Sequence, residues 1–204
     1  MTFGSSPRSG SVGILSPPET YELDVPLDFL SRTRPDVAAH SRRVGELSRR
    51  FALELGFDHE RARKLSVAGS LHDIGKLGVP EQVLAKPGPL TEIEWTQVRL
   101  HAQIGADLLR SQGLYEIADW VIAHHERPDG TGYPYGLTED EIPLEGRVLA
   151  VLDAYNAMTS DRPYRAALSQ SQAIAELRRG AGTQFDLEIA EAFLVAIQSM
   201  PRLG

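Results

Sequence analysis

The stretch ARKLSVAGSLHDIGKLGVP, residues 62–80, decides how the rest of the chain is read. Ala62, Leu65, Val67, Ala68, Leu71 and Ile74 recur near helical spacing, with Asp58 upstream as an N-cap. That apolar face delivers His72 and Asp73 to the point where Gly75 opens a run, punctuated by Gly and Pro as far as Pro89, that is predicted as a loop. Neighbouring helical residues point about 100° apart, so His72 and Asp73 serve one centre only from a helix end or a packed corner.

Working outward, the same period continues. Val37, Val44, Leu47, Phe51 and Leu55 predict a helix after Pro35 that stops at Gly56. Thr91 and Glu94 form a capping box for a helix to about Ser111, and Tyr115–His125 predicts another. RPDGTGYPYG, residues 127–136, is too rich in Gly and Pro for helix or central strand. Leu144 to Met158 reads as helix, Ser169 with Gln172 as a second capping box, and Asp186 as the cap of a last helix ending near Met200. With no internal repeat and no strand pair, the expected fold class is all-α.

A chain of 204 residues provides one well-buried core but not two large domains. Residues 1–28 are predicted as a flexible tail, because their beginning carries Gly, Ser and Pro with little periodicity, and 29–204 as the single domain. A composition of 42% hydrophobic and 24% charged residues belongs with soluble globular proteins. No apolar run approaches the roughly 18 residues that span a bilayer, and the N-terminus lacks a signal-peptide core. The expectation is a cytoplasmic protein with no membrane partner. The net charge of −7 argues against a nucleic-acid polymer, which demands a basic face, but not against a small phosphorylated substrate.

Five of the six histidines, His40, His72, His101, His124 and His125, sit in helical, partly apolar settings. One such histidine is more often a hydrogen-bonded core residue than a ligand. Five, with carboxylates beside them, suggest a metal centre. Asp153 lies among Val148, Leu149, Ala150, Val151, Leu152 and Ala154, where an unpaired carboxylate would cost several kcal/mol. It needs a metal, a donor network or a cation, and Arg147 is the bland candidate. Without cysteine the donors are nitrogen and oxygen only, a set that suits iron or manganese, and also zinc, better than calcium or magnesium. With more donors than one ion takes, two ions about 3.5–4 Å apart sharing a bridging hydroxide are the natural arrangement.

The ordered motifs carry a resemblance. His40-Ser-Arg-Arg-Val44 and His72-Asp-Ile-Gly-Lys-Leu-Gly-Val-Pro80 are similar to the HD superfamily of metal-dependent phosphohydrolases. Lys86-Pro-Gly-Pro-Leu-Thr91, His124-His-Glu-Arg-Pro-Asp-Gly-Thr-Gly-Tyr-Pro134, Ser160-Asp-Arg-Pro-Tyr-Arg165 and Gly180-Ala-Gly-Thr-Gln-Phe-Asp186 narrow this to the HD-GYP subfamily, over about residues 30–199. The resemblance implies a helical bundle with a buried metal centre and hydrolysis of cyclic di-GMP to pGpG, with the further step to GMP left open. It also implies a ligand set of His40, His72, Asp73, His101, His124, His125 and Asp153, with Asp73 bridging two ions. Asp36, one turn before His40, matches the place where some members hold a third ion with a Glu; as a shorter Asp it better suits capping the helix N-terminus. Lys76 matches the lysine at the scissile phosphate, Gly132 and Tyr133 the loop that approaches substrate, and Arg162 and Arg165 the positions that contact guanine or phosphate.

Plainer roles stand beside these. Lys76 could be a solvated loop lysine and Arg162 a salt-bridge partner of Asp161. His59 is expected in a solvated first turn, Arg61, Arg63 and Lys64 on an exposed face, and Trp95 and Trp120 in the core or its rim. Two other functions compete: hydrolysis of another cyclic dinucleotide such as cyclic GMP-AMP, and a non-catalytic module that senses the dinucleotide or docks a partner such as a diguanylate cyclase. A regulatory partner and a homodimer are left open.

Overall fold

The computed structural model describes residues 30–161 and 166–200. The tail expected over 1–28, Arg162 and Arg165, and the side chain of Asp36 lie outside the described residues. After a helical turn at residues 30–33 come α1 (Pro35–Glu54), α2 (His59–Leu71), α3 (Glu81–Leu84), α4 (Glu92–Ser111), α5 (Tyr115–Ile122), α6 (Leu144–Thr159), α7 (Gln170–Gly180) and α8 (Leu187–Ser199). Among the described residues there is no strand, only two isolated bridges, Asp129 with Thr138 and Ala181 with Phe185. The all-α expectation holds.

The helix ends follow from local chemistry. Pro35 occupies the first turn of α1, where a missing N–H costs nothing. Gly56, just past the end of that helix, takes φ +80, a left-handed value that favours glycine. Asp58 accepts from Arg61 N, and Asp186 from Ile189 N. Thr91 with Glu94, and Ser169 with Gln172, form complete capping boxes. Each such cap contributes about 1 kcal/mol.

α6 runs through the centre and packs against α1, α2, α5, α7 and α8. Phe51 of α1, Tyr155 of α6 and Phe193 of α8 meet edge to face, with centroids 5.0–5.2 Å apart, and Val148, Leu149, Val151 and Leu152 are fully buried. No helix among the described residues is long and apolar enough to cross a membrane.

Three expectations are refined. The region 75–89 is not all loop. A 3₁₀ turn, Ile74–Gly78, and the single-turn α3 lie within it, held by the buried side chains of Ile74, Val79 and Val83. α5 ends at Ile122 rather than His125. Of the run expected on an exposed face, Arg61 binds the buried Glu145 of α6 at 2.6 Å, and Lys64 binds Glu60 and also Glu116 of α5. His59 is exposed, Trp120 is core, and Trp95 is a rim residue 43% exposed.

Candidate metal centre

Two helix ends solve the geometric problem that the adjacent ligand pairs pose. α2 stops at Leu71, so His72 is its C-cap and Asp73 begins a different backbone course. α5 stops two residues before His124, and the chain turns through Glu126 N–H donating to Ala123 O at 2.9 Å. Leaving the helical course frees each pair from the 100° separation, and both pairs face one centre.

The approach of these segments depends on Gly75. A Cβ there would lie 1.9 Å from the carbonyl oxygen of His101, so only glycine lets the 3₁₀ turn press against α4. That contact brings Asp73 to His101. Asp73 Oδ2 lies 3.4 Å from His72 Nε2, while Oδ1 lies 3.5 Å from His101 Nε2. The ligand atoms form two sets, His40–His72–Asp73 and His101–His124–His125, each with its atoms within 4.8 Å of one another. Asp153, on α6, joins the first set: its Oδ1 is 2.8 Å from His40 Nε2 and 3.6 Å from His72 Nε2. All seven residues expected as ligands are therefore gathered together. Arg147, the bland partner for Asp153, instead binds Asp186 at 2.5 Å.

The protonation pattern is fixed by main-chain carbonyls. His72 Nδ1 faces Gly69 O at 2.7 Å, His101 Nδ1 faces Val98 O at 2.6 Å, and His124 Nδ1 faces Val121 O at 2.5 Å. A carbonyl only accepts, so each Nδ1 carries the proton and each Nε2 points inward. These three Nε2 atoms are buried and have no hydrogen-bond partner. Leaving a buried polar atom unpaired costs about 1–3 kcal/mol, and three in one cluster are a large fraction of a typical domain's roughly 5–15 kcal/mol. Lone pairs converging in this way fit a cation. Burial keeps His101 and His124 below the usual imidazole range, and His125 is pushed down to about 3 for the same reason. Burial also opposes a charge on His72, but Asp73 and Asp153 outweigh it and raise that group to about 10. Asp73 and Asp153 are held well below the carboxylate range: burial opposes this, and Lys76 and His72 at Asp73, and His40 and His72 at Asp153, prevail.

Around the donors sit the other expected residues. Lys76 Nζ donates to Asp73 Oδ2 at 2.5 Å. Tyr133 lies over His125, with centroids 4.7 Å apart and 32° between planes, and 6.4 Å from His101. Gly132 packs so closely that a Cβ would meet Glu126 Cα at 2.5 Å.

Three residues of this neighbourhood did not stand out in the sequence. Glu126 is buried and accepts from Tyr135 N at 2.7 Å and Leu137 N at 3.0 Å, which pins the loop carrying Tyr133. Its position directly after His124-His125, ahead of a Gly- and Pro-rich loop, was the available signal. Arg99 lies over the ring of Tyr133 at 5.6 Å and that of Trp95 at 6.0 Å, a contact between residues 34 positions apart that no local pattern reveals. Asn156, buried on α6, donates to His40 Nδ1 at 2.7 Å and fixes that ring. A cavity of about 600 Å³ opens over the centre, touching His40, Lys76, His125, Arg127 and Asp153.

Comparison with known proteins agrees with this geometry. The sequence matches the HD domain family over residues 24–189. It is 41% identical over 178 residues to a cyclic di-GMP phosphodiesterase of Thermotoga maritima, covering 85% of this chain and 48% of that protein. It is 38% identical over 168 residues to 3'3'-cGAMP-specific phosphodiesterase 3 of Vibrio cholerae, covering 82% and 36%. The chain thus spans less than half the length of these relatives. Its fold matches that of an HDG"Y"P protein from Bdellovibrio bacteriovorus, with a TM-score of 0.62 at 16% identity over 87% of this chain and 62% of that one. With its helices ordered around a shared His/Asp cluster, this chain belongs to the HD-domain family.

Proposed function

We propose that this domain is a metal-dependent phosphodiesterase of the HD-GYP subgroup, hydrolysing cyclic di-GMP to pGpG. The observation that carries the reading is Asp73, which aims one oxygen at His72 of one ligand set and the other at His101 of the second, beneath a cavity that reaches His40, His125 and Asp153. The substrates named for the two relatives, cyclic di-GMP and 3'3'-cGAMP, are both cyclic dinucleotides.

Seven nitrogen and oxygen donors exceed what one tetrahedral ion takes, and iron or manganese is the pair of metals they suit best. His40, His72, Asp73 and Asp153 would hold one ion and His101, His124 and His125 the other, with Asp73 common to both. Bound there, two divalent ions supply Lewis-acid charge and an activated water for in-line attack on phosphorus. The chain does the rest. Main-chain carbonyls hold the imidazoles of His72, His101 and His124 in the tautomer that presents Nε2. Lys76 places a fixed cation beside Asp73, where it offsets charge that develops on the phosphate oxygens. Glu126 pins the loop that sets the ring of Tyr133 over His125, where it would position substrate. Assignment of a third ion rests on Asp36, and further substrate contacts on Arg162 and Arg165.

The test is purification under anaerobic conditions, metal analysis, and assay of cyclic di-GMP, cyclic GMP-AMP and cyclic di-AMP. The reading expects two or more transition-metal ions per chain and turnover of cyclic di-GMP to pGpG. A protein loaded with two ions that turns over only cyclic GMP-AMP would move the substrate assignment to that dinucleotide. A loaded protein that turns over none of the three would overturn the enzymatic reading in favour of a sensor module.

A further inference from the structure

The cavity over the metal centre extends to the last turn of α7 and the segment 180–185. Beyond the ligands its lining comprises Ala154, Ala157, Met158 and Phe185 together with the polar side chains of Glu176, Arg179, Thr183 and Gln184. Asp129 N–H donates to Thr183 O at 3.2 Å and ties the loop carrying Tyr133 to the turn after α7. Apolar side chains beside a few convergent polar groups suit a nucleobase.

The chemistry of these polar groups selects among bases. Glu176 and Arg179 are ion-paired, so carboxylate acceptors stand beside a guanidinium fork. Guanine presents the matching edge, with N1–H and the N2 amine as adjacent donors next to the O6 acceptor. Adenine has a single donor group, N6, on the corresponding edge and no second donor for the carboxylate. We propose that this end of the cavity is a guanine subsite for the nucleotide half that lies away from the metal centre. Glu176 accepts from N1–H and the N2 amine, and Arg179 donates to O6. The subsite rests on the phosphodiesterase reading for the placement of the other half.

The test uses metal-loaded protein and non-hydrolysable phosphorothioate analogues of cyclic di-GMP and cyclic di-AMP, with binding measured by calorimetry for wild type, Glu176→Gln and Arg179→Ala. Wild type should prefer the guanine analogue, and each substitution should weaken its binding roughly ten- to a hundredfold while affecting the adenine analogue far less. Equal loss for both analogues, no loss for either, or no binding of either by wild type would overturn the subsite. Turnover of cyclic di-GMP itself, measured alongside, separates the two readings. Selective binding without hydrolysis sustains the subsite and sinks the phosphodiesterase, whereas hydrolysis with an unchanged base preference does the reverse.

Discussion

Lys76 Nζ lies 2.5 Å from Oδ2 of Asp73, the same oxygen that faces His72 Nε2 at 3.4 Å. The lysine therefore steadies the carboxylate shared between the two ligand sets and brings a positive charge to the edge of the cavity. Lys76→Met keeps the stem and removes the charge. Turnover should fall by about 10²–10³, the usual cost of one preorganised electrostatic contact, with two ions still bound. Near-normal turnover would reduce Lys76 to a solvated loop residue.

Asp153→Asn preserves shape but removes the anion that His40 and His72 share. Turnover should be lost, metal content should drop by one ion per chain, and far-UV circular dichroism should stay helical. Wild-type activity in this variant would assign Asp153 a structural role.

Tyr133 lies on His125 but offers the centre no ligand of its own. Tyr133→Ala should raise KM far more than Tyr133→Phe, because the ring, not the hydroxyl, makes the contact with His125. Both variants should retain their metal. Glu126→Ala acts one step back: it orphans the N–H groups of Tyr135 and Leu137, should cost roughly 1–3 kcal/mol, and should reproduce the KM defect with Tyr133 intact. A KM unchanged in Glu126→Ala would show that the loop needs no such anchor.

The metal-free protein should show a distinctive pH dependence. His72 is raised to about 10 against an ordinary 6.5, so its contribution to stability is fully present below 6.5 and is lost as pH rises through about 10. Stripped with a chelator, the protein should lose stability steadily between pH 7 and 10 in urea titrations. Metal replaces that proton, so the loaded protein should show a shallower slope over the same window. Equal slopes would mean that His72 holds no proton in the metal-free state.

Much of this architecture was legible without coordinates. The caps at Asp58, Thr91, Ser169 and Asp186 are contacts between residues three apart, so they stand in the sequence as written. The early end of α5 was not legible, because the run Tyr115–His125 stays helix-compatible throughout. Only packing turns the chain at Ala123 and swings His124 and His125 inward. Arg61 illustrates the same limit. Its partner Glu145 lies 84 residues away, on a helix whose distance from α2 no periodicity encodes.

The sequence alone determined the all-α class, the starts of most helices and the donor chemistry of the centre. Helix periodicity and capping act within four residues, and the absence of cysteine leaves only nitrogen and oxygen donors. The tertiary structure decided which donors meet. His40 and Asp153 are 113 residues apart, and only the packing of α1 on α6 brings them to 2.8 Å. It also decided that Asp153 takes histidines while Arg147 turns to Asp186, and that His101, His124 and His125 gather their ring nitrogens in one cluster. A buried charge takes its partner from whatever the packed helices place beside it, and that neighbourhood exists only once the core has closed.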